Sequence, residues 1–132
     1  VCSPALATGD PPLREPADLQ HRVLLYDSSL EDWRMWLIAA GVPDLKPRET
    51  MLIDDTAVKL RAAAEGRGVA LGPKRLVADD LAQGRLVMPL GDRHTSGTSY
   101  HLVFPPWAHA NPAVATFADF LRAEAKAEAE NH

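Results

Sequence analysis

The sequence predicts an α/β fold built on a mostly parallel sheet. Three observations carry that prediction. Apolar runs of strand length alternate with amphipathic stretches of helix length from end to end. Three of the helical stretches open directly after a strand. Each of those three stops at a glycine: Gly41, Gly66 and Gly84.

The chain begins Val-Cys-Ser-Pro, without a methionine and in what reads as a strand, which is the pattern of a fragment. "RVLLY" (22–26) is a compact apolar strand. Ser28 and Glu31 then have the spacing of a capping box, and Trp33, Trp36, Leu37 and Ala40 repeat as one helical face. Gly41, with Pro43 beyond it, ends that helix. A second strand, "TMLI" (50–53), runs into Asp54, Asp55 and Thr56, each able to cap the helix that follows. That helix carries Ala62, Ala63 and Ala64, small enough to approach a sheet closely. Strand Val69–Leu71 leads to a helix opened by Gly72 and Pro73, with proline at its first position. Its apolar face is Leu76, Val77 and Leu81. Strand "RLVMPL", a polar loop at 91–99, strand "YHLVF" and a helix from Asn111 complete the order.

"EGRGVALGP" (65–73) has the look of a phosphate-cradling loop, but the order of elements is wrong for one. A dinucleotide fingerprint needs strand, glycines, then helix. These glycines follow a helical stretch and precede a strand, and their spacing misses G-x-G-x-x-G by one residue. Gly66 reads instead as a helix stop in the left-handed conformation.

At 132 residues the chain is long enough for one domain with a real core, and 46% apolar with 24% charged residues is ordinary for a soluble protein. A net charge of −4 leaves no electrostatic footprint for nucleic acid. No apolar run reaches the length of a membrane span, and no secretory leader is legible. The single cysteine, Cys2, fits a reducing compartment, so a cytoplasmic location is expected.

Catalytic and metal chemistry find little support in the residues. "MLIDDTAVKL" resembles the acidic pair of a magnesium-binding receiver domain, yet no later strand ends in a phosphoacceptor aspartate and no lysine follows at the right place. His21, His94, His101 and His109 form no set with ligand spacing. No G-x-S-x-G elbow occurs, and Cys2 has no neighbour to lower its pKa. The chain is expected not to be an enzyme and to need no cofactor.

Geometry argues for binding instead. Helix starts at Ser28, at Asp55/Thr56 and at Gly72/Pro73 each follow a parallel strand, so they fall along one edge of the sheet. Free N–H groups and positive dipole ends there favour an anionic group such as a carboxylate. Asp54 and Asp55 oppose an anion and suit an amino group, which makes an amino-acid-like ligand the alternative. Trp33, most simply a core residue, is placed in the first turn, where it could wall a pocket.

A string of segments then carries a resemblance: "CSPAL", "PADLQHRVLLYD", "DWRMWLIAAGV", "AAAEGRGVALGPKRLVADDLAQGRLVMPL", "YHLVFPP" and "ATFADFLRAEA", in that order. Across nearly the whole chain it resembles the C-terminal portion of LysR-type transcriptional regulators, especially the glycine-cleavage and β-lactamase activators. The resemblance implies a cytoplasmic bacterial regulator with an N-terminal helix-turn-helix and a two-lobed effector domain of the periplasmic-binding-protein type 2 fold. Residues 1–99 would be the second lobe, and residues 100–132 the returning strand and terminal helix of the first. The implied partners are a small-molecule inducer held between lobes, DNA only through the helix-turn-helix, and a second copy of the chain. The implied effector residues are Ser28, Ser29, Asp54, Asp55, Thr56, Gly72 and Pro73, with Trp33 beside them. A solute-binding protein or a small α/β enzyme on the same scaffold is the competing expectation. The terminal helix, with Val114, Phe117, Ala118 and Leu121 as an apolar stripe, is expected to pack on the same face of a second copy.

Overall fold

The computed structural model describes residues 1–92 and 101–130, and the chain divides into two compact units, residues 1–96 and 97–132. The first unit holds a three-stranded sheet of β1 (Val23–Tyr26), β2 (Glu49–Leu52) and β3 (Val69–Ala70) in the order β2-β1-β3. Both pairings are parallel, with Leu24 opposite Thr50 on one side and Val69 on the other. The expected α/β class with a parallel sheet is what forms. Short helix α1 (Pro4–Thr8) precedes the sheet; α2 (Glu31–Ala39), α3 (Thr56–Ala64) and α4 (Lys74–Ala82) follow the three strands in turn.

The helices divide between the two faces of the sheet. Leu24 points to the side of α2, where Trp33, Trp36, Leu37 and Val69 join it. Leu25 points the other way, to Leu60 and Ala63 of α3 and Val77 of α4. Successive strand side chains alternate faces, so "LL" in β1 feeds two cores at once. Close approach is built into β3: a Cβ at Gly68 would stand 2.6 Å from the Val23 carbonyl oxygen. Backbone cannot swing aside as a flexible side chain can. Gly68→Ala is therefore expected to cost about 1–3 kcal/mol, read as a lowered urea midpoint with an unchanged slope.

All three helices end alike. The N–H groups of Gly66 and Arg67 return to the carbonyls of Ala63 and Ala62, both at 3.0 Å, and Gly66 has φ +78. Gly41 and Gly84 repeat this Schellman arrangement with φ +78 and +71. The glycine-rich stretch at 65–73 is thus a helix stop followed by a strand, as the order of elements predicts.

Several expectations are corrected. The chain start is not a strand: Cys2 makes a single antiparallel bridge to Val87, and Ser3 caps α1, which the sequence did not reveal. Among the described residues that same bridge is all that "RLVMPL" contributes to strand pairing. Of "YHLVF", His101–Phe104 lie in no strand, while Tyr100 and nearly all of the polar loop at 91–99 lie outside the described residues, as does His94. His21 ends a 3-10 turn, Pro16–His21. In α4, Val77 is buried but Leu76 faces outward.

In the second unit a 3-10 turn (Pro106–Ala110) leads into α5 (Pro112–Glu130). Asn111 caps α5 as expected, its Oδ1 accepting from the Ala113 N–H at 3.0 Å. Its apolar residues do not form one covered stripe: Ala118 is buried, while Phe117 and Phe120 stack on each other at 6.4 Å and stay exposed.

Candidate functional site

The carboxyl ends of β1, β2 and β3 place three turns along one edge of the sheet. The turn after β1 goes to α2 on one face, and the turns after β2 and β3 go to α3 and α4 on the other. The flanking connections therefore diverge at the end of central strand β1, the topological position where sheets of this kind usually bind ligands.

Asp27 stands at that point. Its Oδ2 accepts from the Thr56 hydroxyl at 2.7 Å and from the Lys59 ammonium at 2.8 Å. The Lys59 side chain is only 6% exposed, so this ion pair is largely withdrawn from water. Partial burial pushes the Asp27 carboxyl up, but the hydrogen bonds from Lys59 and Thr56 outweigh it and hold it below its usual value. These residues tie the first turn to the second. They were missed as a group in the sequence, although an aspartate closing a central strand is a legible signal.

Ser28 and Ser29 are exposed in the first turn, and Ser28 has φ +50, a left-handed backbone that a non-glycine residue adopts at some cost. The expected capping box does not form. The helix starts later, with Leu30 at the cap position, because the chain reverses at Ser28; it is the Ser29 hydroxyl that accepts the Glu31 N–H, at 3.3 Å. Trp33 lies inward: it is buried against Trp36, edge to face at 5.8 Å, and its indole N–H donates to the Leu25 carbonyl at 2.9 Å.

In the second turn Asp55, alone of the three candidates, is the cap of α3, accepting from the Val58 N–H at 2.9 Å. Asp54 is exposed beside it. In the third turn Gly72 and Pro73 are exposed, and Pro73 is the cap residue of α4 rather than its first helical residue. Gly72 has a packing reason to lack a side chain: a Cβ there would stand 2.8 Å from a Leu60 methyl. No side chain caps α4, and its first turn carries Lys74 and Arg75.

A model of the family described as the LysR substrate binding domain matches residues 1–126. The chain belongs to that family. Among curated relatives, the glycine cleavage system transcriptional activator of Escherichia coli K12 is 34% identical over 130 residues, covering 98% of this chain and 43% of that protein. The transcriptional activator AmpR of Rhodobacter capsulatus is 35% identical over 121 residues, 92% of this chain and 40% of its own length. The chain thus spans less than half the length of these relatives. Among solved structures it is similar to the effector domain of AmpR from Pseudomonas aeruginosa, with a TM-score of 0.73 and 27% identity over 98% of this chain and 60% of that one. The AmpR effector binding domain from Citrobacter freundii gives 0.61 and 30%, over 70% and 46%. The fold is accordingly that of a partial LysR effector domain.

In this LysR domain the three turns differ in charge. The second carries two exposed carboxylates, Asp54 and Asp55; the third carries Arg75 and Lys74 at an uncapped helix start, with Lys74 3.6 Å from the Asp92 carboxylate.

Proposed function

We propose that this chain is the effector-sensing part of a LysR-type transcriptional regulator, and that the effector meets it at Ser28, Ser29, Asp54, Asp55, Thr56, Gly72 and Pro73. The observation that carries the reading is the contrast in charge between the turns after β2 and β3, on either side of central strand β1. An amino-acid-like effector matches it, with its amino end toward Asp54–Thr56 and its carboxylate toward the start of α4. Trp33 supports the site from within. Residues 1–99 act as the second lobe and residues 100–132 as the part returning to the first. The whole protein is a cytoplasmic, non-enzymatic homo-oligomer that contacts DNA through a helix-turn-helix outside these 132 residues. Family membership supports this over a solute-binding protein or an enzyme.

Two measurements test the reading. The 132-residue chain alone is expected to give no mobility shift that discriminates between DNA sequences at physiological salt, in keeping with its charge of −4. In the regulator containing this chain, Thr56→Ala and Ser28→Ala are each expected to raise the half-maximal inducer concentration about tenfold, the loss of about one hydrogen bond. An unchanged dose–response for both variants would sink the site.

A further inference from the structure

We draw no further inference here: the strongest candidate, the groove between α3 and α4 lined by Leu60, Ala64 and Leu76, is an unpartnered apolar face whose bordering charges already pair with each other as Arg61–Glu65 and Arg85–Asp80, and nothing in the structure shows what covers it.

Discussion

Asp27→Ala is expected to destabilise the chain by about 3 kcal/mol at neutral pH, because it strands the Lys59 ammonium in the interior without a counter-charge. Against a typical domain stability of roughly 5–15 kcal/mol, such a loss is large. The reciprocal change should be mild. Lys59→Met leaves Asp27, whose side chain is 25% exposed, to water and to Thr56, and it fills the same space with apolar atoms. Urea denaturation of both variants checks the asymmetry, and equal losses would show that the pair is not held as described. The pH dependence has a definite sign. The folded carboxyl of Asp27 titrates below its usual value, so its contribution is present above the unfolded value of about 3.9 and is lost as pH falls through the folded one. Wild-type stability should therefore fall below about pH 4, and Asp27→Asn should show a shallower fall over that range.

Trp33→Ala should cost about 3–5 kcal/mol, the range for emptying a buried aromatic site. The side chain is 4% exposed, packs on Trp36 and anchors α2 to β1 through the Leu25 carbonyl. Trp33→Phe separates the two contributions: it keeps most of the apolar contact and drops the hydrogen bond, for about 1–2 kcal/mol. Thermal or urea unfolding reads both. If Trp33→Ala left stability within about 0.5 kcal/mol of wild type, the residue would be a surface wall of the candidate site rather than part of the core.

Much of the candidate site was readable from local chemistry, and the misses have specific causes. The order strand, turn, helix placed Ser28, Asp55 and Gly72 at the three turns, because β1, β2 and β3 are compact runs that glycine stops separate cleanly. The capping box at Ser28 failed because its spacing ignores the left-handed reversal that moves the start of α2 to Glu31. "RLVMPL" and "YHLVF" have strand composition, but composition does not supply a neighbouring edge: among the described residues Val87 bridges to Cys2, and His101–Phe104 lie in no strand. Helical spacing marks Phe117 as part of an apolar face without saying what covers it, and in the single chain the residue is exposed.

Helix stops at Gly41, Gly66 and Gly84, the cap at Asn111 and the alternation that makes an α/β sheet were all settled by neighbours in the chain. Backbone conformation and capping depend on residues within about four positions, so they are written locally. Strand order, the division of α2 from α3 and α4 across the sheet, and the meeting of Asp27 with Thr56 and Lys59 were decided only by packing. Asp27 lies 29 and 32 positions from its two partners, a separation that carries no periodic signal. What brings them within hydrogen-bonding distance is the parallel pairing of β1 with β2, which sets the start of α3 beside the end of β1. Once there, a buried ammonium and a hydroxyl must find an acceptor, and the carboxylate closing the central strand is the one within reach.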